Sequence, residues 1–166
     1  MPKTLKKLEN LKLQKNKDIP FVSDAEFSTH ELISHLLNQT GPSAVRISSF
    51  SISEMAIRSF FNLQESGQIT SLSCLFDFNV KRHKLGLLFF ASNVVSCIRL
   101  TKVHAKLIFI DNEDWNLVVV TSANLNINDK KEVGIIINSR DHYSFYSEKY
   151  NQWFEEALNI SPDEFN

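Results

Sequence analysis

His104-Ala105-Lys106-Leu107-Ile108-Phe109-Ile110-Asp111 is the stretch whose reading decides the fold. From Val103 to Ile110 it is rich in Val, Leu, Ile and Phe, the composition of a β-strand. Side chains alternate faces along a strand, so His104 and Lys106 share a face with Ile108 and Ile110, and Leu107 and Phe109 occupy the other. A strand apolar on both faces belongs inside a sheet covered by layers on both sides. Its polar start then lies at the end of that sheet, where a cleft can form.

Working outward, Asn112-Glu113-Asp114 is a turn signal and Trp115 to Val120 reads as the returning strand. An antiparallel hairpin brings Ser122, Ala123 and Asn124 back beside His104 and Lys106. A loop of three or five residues puts Ser122 and Asn124 on the face of His104. A loop of four misses that face unless a bulge resets the register. Asp111, seven residues past His104 and of opposite parity, is roughly 23 Å away at about 3.3 Å per residue. It reads as turn or interface structure, not chemistry. His104, Lys106, Ser122, Asn124 and the later Glu132 then supply a nucleophile or acid, a cation, two neutral hydrogen-bonding groups and a carboxylate. That set suits phosphodiester chemistry without a metal ion.

The chain has 166 residues, the size of one domain with a sizeable core. Its 13 phenylalanines read mostly as core, since several lie in apolar runs such as Phe60-Phe61 and Phe89-Phe90. Cys74 and Cys97 lie in apolar segments and read as small buried hydrophobes of a reducing compartment. No close Cys/His pair suggests zinc, and no cofactor or metal is expected. Signal-peptide and membrane-spanning patterns are absent, so the expected location is cytoplasmic. Six lysines stand in residues 1–17 against Glu9 alone, leaving the remainder acidic within a net charge of −1. This gives a basic N-terminal segment, 1–18, and a single domain, 19–166. The segment could contact phosphates, although a solvated, partly helical terminus is the simpler reading.

Glu26 to Leu37 has helical periodicity, with His30 and His35 expected at its surface. Ala44 to Phe50 alternates as a strand. Ser51 or Ser53 caps a helix running to about Gln64. Ile69 to Phe76 is a strand, Asp77-Phe78-Asn79 begins a loop, and Leu85 to Val95 is a buried helix. Val95 to Leu100 and Glu132 to Asn138 are strands. Tyr143 to Leu158 is a C-terminal helix with Tyr146, Tyr150, Trp153 and Phe154 as its inner stripe. The order predicts an α/β class: a mixed sheet flanked by helices.

His104-x-Lys106, four residues and Asp111, followed by Ser122-x-Asn124, resembles the HxK(x)4D…GSxN signature of the phospholipase D superfamily. The resemblance covers about Ala44 to Trp153 and implies an α/β/α sandwich. It implies His104 as covalent nucleophile or general acid, Glu132 as the carboxylate fixing its tautomer, Lys106 and Asn124 on the phosphate oxygens, and Ser122 as support. Thr121 stands where the family has glycine, and the spacing after Asp111 is longer than usual. The short, single-motif members it resembles are mostly nucleases. The expected activity is therefore a metal-independent nuclease working through a phosphohistidine. Arg82, His83 and Lys84 form a second basic cluster that could line the cleft, or could be a plain helix-start cluster. The mechanism needs two proton-handling groups and the chain has one HxK motif, so a symmetric homodimer with a composite site is expected. The alternatives are a phospholipid phosphodiesterase and a catalytically inactive nucleic-acid- or partner-binding module.

Overall fold

The computed structural model describes residues 7–127 and 129–165. Lys3 and Lys6 of the basic segment lie outside these. The elements in chain order are β1 (Ile19–Asp24), α1 (Thr29–Thr40), β2 (Ser43–Ser49), α2 (Glu54–Glu65), β3 (Ile69–Asp77), α3 (Phe78–His83), α4 (Leu85–Val94), β4 (Cys97–Thr101), β5 (Leu107–Asp111), β6 (Asn116–Thr121), β7 (Lys131–Ile137), α5 (Arg140–Glu156) and β8 (Leu158–Ile160). A 3-10 turn, Pro162–Phe165, follows.

The strands form one mixed sheet in the order β1-β7-β6-β5-β2-β3-β4-β8. β2, β3 and β4 run parallel, and β5, β6 and β7 alternate in direction beside them. Two apolar layers follow from the side-chain alternation. On one face Val45, Ile47, Ile108, Ile110 and Val119 pack under Leu32, Ile33 and Leu36 of α1 and Ile57 and Phe60 of α2. On the other, Leu107, Phe109, Val118 and Ile137 pack against Tyr150 of α5, which is 1% exposed. The expected α/β/α arrangement is therefore present, with the predicted division of β5 between its faces.

Helix boundaries follow local chemistry. Ser28 and Glu31 make the reciprocal capping box of α1, and the Ser53 hydroxyl accepts the Ala56 amide at the start of α2. Several expectations are corrected. β1 follows the basic segment where no element was read; Pro20 is tolerated because the strand lies at the margin of the sheet. Asp77 accepts the Asn79 amide and so starts a helix, α3, where a loop was expected. α5 ends at Glu156, and Leu158 joins β8 instead.

His30 is buried, its ring beside the Ser28 hydroxyl, and burial lowers its pKa. His35 is half-buried because its Nε2 meets the Leu11 carbonyl, which also accepts from Gln39. Both were expected at the surface. The contact helps to dock residues 7–17: Leu8 and Leu11 lie in the core, while Lys12, Lys15 and Lys17 stay exposed. The Lys15 ammonium sits over the Trp115 ring, 3.8 Å from its centroid. Cys74 is buried, with its thiol pushed up by desolvation, whereas Cys97 is only half-buried. Among the described residues no helix is long and apolar enough to cross a membrane.

Candidate active site

One end of the sheet collects the residues singled out from the sequence. The parallel strands β2, β3 and β4 finish there, β5 starts there, β6 finishes there and β7 starts there. This rim therefore holds Phe50, Asp77, Lys102, His104, Lys106, Ser122, Asn124 and Glu132, drawn from six strand ends.

The segment Lys102–Lys106 is not the first half of a strand, as its composition suggested. It is a crossover from β4 to β5 that passes the ends of β3 and β2, three strand spacings or about 14 Å. Side chains hold it where ladder bonds cannot. The Val103 amide donates to Asp77 Oδ2 at 2.9 Å. Ser48 Oγ donates to the Ala105 carbonyl at 3.0 Å and accepts from the Leu107 amide at 3.2 Å. Asp77 and Ser48 are both buried, so their bonds are well shielded.

The hairpin has the four-residue loop, Asn112–Trp115, with Asp111 opposite Asn116 and Leu107 opposite Val120. Asn112 Oδ1 closes it by accepting the Asp114 and Trp115 amides, each at 2.9 Å. Parity alone would then turn Ser122 and Asn124 away from His104. The ladder instead ends before either pair is reached, and irregular backbone on both chains resets the geometry. Ser122 attaches to β7, its amide donating to the Val133 carbonyl at 3.0 Å.

Lys106 is 8% exposed and its ammonium lies 2.8 Å from His104 Nδ1 and 2.6 Å from the His104 carbonyl oxygen. An ammonium has donors only, so the ring nitrogen it meets is the acceptor. Burial lowers the Lys106 pKa, and the Glu132 charge opposes that shift. The His104 ring is exposed on its outer side and packs on Phe50, with centroids 4.9 Å apart. Phe50 also donates its amide to Asn124 Oδ1 at 3.2 Å, and Ser49 Oγ donates to the same oxygen. Ser122 Oγ donates to Glu132 Oε2 in a short hydrogen bond. His104, Lys106, Phe50 and Asn124 thus form one contacting group, and Ser122 with Glu132 a second, joined to the first by the attraction of Glu132 for Lys106. Among the described residues no hydrogen bond joins Glu132 to His104; in the single chain the carboxylate is held by Ser122.

Thr121 uses its side chain where a glycine would have none. Its hydroxyl donates to the Val133 carbonyl at 3.1 Å and accepts the Ala123 amide at 3.2 Å. Asp111 lies at the opposite end of β5. Arg46 Nη2 donates to it at 3.0 Å, Asn116 Nδ2 at 3.1 Å, and the Tyr143 hydroxyl in a short bond. It pins α5 to the sheet and takes no part in the rim.

The cluster Arg82-His83-Lys84 is divided by the structure. Arg82 and His83 are exposed on the last turn of α3, where the Arg82 charge suits the helix dipole. Lys84 turns inward, its ammonium 3.0 Å from Ser51 Oγ and 2.5 Å from the Ile52 carbonyl. Three recesses border the rim. One of about 250 Å³ contains His104, Lys102 and Trp153. One of about 280 Å³ contains Phe50, His83 and Lys84. One of about 610 Å³ contains Phe78, Lys81, Arg82 and Lys102.

Phe50, Ser48 and Asp77 were not anticipated. The serines that close β2 and follow it, Ser48-Ser49 and Ser51 around Phe50, were the available signal for the first two. Nothing local in the sequence marks Asp77 as a support for Val103. Among the described residues no group of three or more His, Cys, Asp or Glu side chains is gathered as a metal site.

No protein-family model matches the chain, and no curated protein matches it by sequence. Solved structures do. The phospholipase D family member Nuc from Salmonella typhimurium superposes with a TM-score of 0.70 at 14% identity, over 87% of this chain and 99% of Nuc. NucT from Helicobacter pylori gives 0.66 at 16% identity, over 87% and 99%. Phosphatidylserine synthase from Haemophilus influenzae gives 0.60 at 15% identity, over 86% of this chain and 40% of the synthase. The chain has the phospholipase D superfamily fold.

Proposed function

We propose that the protein is a metal-independent phosphodiesterase that cleaves nucleic acid through a phosphohistidine, in a composite site of a homodimer. The observation that carries the reading is the contact of His104 with Lys106 on the strand-end rim of this fold, beside Asn124 and the Ser122–Glu132 pair. The chemistry follows from those groups. The His104 imidazole attacks phosphorus; an N–P bond forms while the P–O bond to the leaving group breaks. The partner subunit's His104 gives its proton to the leaving oxygen. Water then attacks phosphorus and passes a proton to that second histidine, the N–P bond breaks, and His104 is regenerated. Lys106 meets the phosphate as a cation. Asn124, whose Oδ1 is taken by Phe50 and Ser49, meets it with its NH₂. Rotation of Glu132 from Ser122 towards an imidazole would fix the tautomer of the attacking ring.

A nucleic-acid substrate is favoured by the exposed cations Lys81, Arg82 and Lys102 around the rim, which suit a polyanion. The test is to incubate the protein with single- and double-stranded DNA, RNA and phospholipid vesicles in EDTA, alongside His104→Ala. Cleavage of nucleic acid by the wild type alone is expected. Activity that needs added magnesium would overturn the mechanism, and turnover of phospholipid alone would overturn the substrate. Mixing His104→Ala with wild-type subunits tests the composite site, since activity strictly proportional to wild-type content would mean that each chain works alone.

A further inference from the structure

The largest of the three recesses lies outside the candidate catalytic group, at the carboxyl ends of β3 and β4, where ligands of parallel sheets bind. Its volume of about 610 Å³ is that of a small-ligand pocket. Phe78, half-buried, supplies a ring wall, and Lys81, Arg82 and Lys102 bring three exposed cations to its mouth. The acidic group within it, Asp77, is already engaged: Oδ1 accepts the Asn79 amide at 2.8 Å and Oδ2 the Val103 amide at 2.9 Å. Those bonds also fix the recess relative to the rim, because Asp77 caps α3 with one oxygen and holds the residue before His104 with the other. Lys102 lines both this recess and the one containing His104. It is two residues from His104, about 7 Å of extended chain.

We propose that this recess is a subsite for the nucleotide flanking the cleaved linkage of a single-stranded nucleic acid. The base stacks on Phe78, and the adjoining phosphates lie against Lys81, Arg82 and Lys102. Stacking on an aromatic wall is available to every base but only when it is unpaired, so the recess selects single strands over duplex and not one sequence over another. The inference rests on the nucleic-acid reading above.

The test measures binding by fluorescence anisotropy of a labelled single strand and its duplex to His104→Ala protein across a salt series. Wild-type cleavage of nucleic acid is read first. Two further variants are built in the His104→Ala background and checked by circular dichroism and melting: Lys81→Gln/Arg82→Gln/Lys102→Gln, all at exposed positions, and Phe78→Leu, which keeps apolar volume against the core. The triple variant should flatten the log–log salt slope for single strands by about 2, at about 0.7 per phosphate contact, and bind roughly a hundredfold more weakly at about 0.1 M salt. Phe78→Leu should weaken single-strand binding roughly tenfold and leave duplex binding unchanged. If the wild type cleaves nucleic acid but the variants bind with unaltered affinity and slope, the subsite is refuted and the nuclease reading survives. Equal losses on single strand and duplex from Phe78→Leu would refute the single-strand assignment. A wild type that neither binds nor cleaves nucleic acid overturns both proposals.

Discussion

Replacing Asp111 by Ala separates the structural end of β5 from the end that carries the candidate site. The Asp111 carboxylate accepts from Arg46, Asn116 and Tyr143, and both it and Arg46 are about one-fifth exposed, at 21% and 22%. An exposed ion pair contributes about 0–1 kcal/mol, and breaking a fully buried one costs about 3–5 kcal/mol. This pair lies between those limits. The orphaned guanidinium is not stranded, because it also donates to Asn151 at 2.8 Å and Ser147 at 3.1 Å, and lies 4.4 Å from the centre of the Phe109 ring. The expected loss is therefore about 2–3 kcal/mol, a fall in Tm of roughly 5–10 °C for a chain of this size. Asp111→Asn, which keeps an acceptor for Tyr143, should lose about half as much. The assay is thermal melting followed by circular dichroism, with turnover measured well below both transitions. An unchanged Tm would refute the view that this network pins α5. Lost turnover in a well-folded protein of unchanged oligomeric state would refute the separation of Asp111 from the chemistry.

Burial and the neighbouring Asp111 push the Tyr143 pKa up to about 12 from its usual value near 10. Between those values the unfolded chain has released a proton that the folded chain still holds, so stability must fall as pH rises from 10 towards 12. Allowing for partial solvation, Tyr143 should contribute a loss of about 1–2 kcal/mol to denaturant melts across that window. Tyr143→Phe should remove this part of the dependence and leave the part due to Tyr150, whose pKa burial also raises; an identical pH profile in the variant would sink the assignment. Gly134 lies under Phe21, where an added Cβ would fall 2.4 Å from Phe21 Cζ and 2.9 Å from the Val120 carbonyl oxygen. Gly134→Ala should cost about 1–3 kcal/mol in a chemical melt; a neutral result would mean that the ring swings clear freely. Lys106 holds a charge against burial, its pKa lowered despite the pull of Glu132. Lys106→Met should abolish turnover and raise Tm by a few degrees at neutral pH, as expected where function strains stability; a lowered Tm would make Lys106 structural.

The fold was legible where one periodicity ran unbroken. The β5 alternation, the apolar face of α1 and the aromatic stripe of α5 were readable from side-chain spacing, and α2 from its serine cap; each marks a layer of the sandwich. The elements that escaped are those decided by tertiary partners. β1 is a short, proline-bearing marginal strand that exists because β7 offers its open side. α3 exists because Asp77 caps it. His30 and His35 are withdrawn from solvent by a helix cap and a backbone carbonyl that have no periodic signature. Asp111 does lie at the end of β5 far from the rim, although only Leu107–Asp111 is strand and not the whole run from His104 on which its distance was reckoned.

The candidate site was legible as a set of residues but not as a geometry, for a reason the sheet makes plain. Val103 to Ala105 has no place in the ladder, which reaches back only to the Lys106 carbonyl and its bond from the Thr121 amide, because β5 must reach its place beside β2 from the far side of β3. The crossover that results runs over strand ends, and its amides and carbonyls are met by Asp77 and Ser48, residues remote in sequence. Freed from a ladder, the segment can turn the Lys106 ammonium back onto the His104 ring and still leave the outer side of that ring open. A regular strand would hold the two side chains parallel, one residue apart on the same face. The same release on the opposite chain lets Ser122 engage Glu132 despite a hairpin loop of the wrong parity. The candidate-site residues are therefore those that the sheet does not regularise, while the sheet fixes the points at which they leave it.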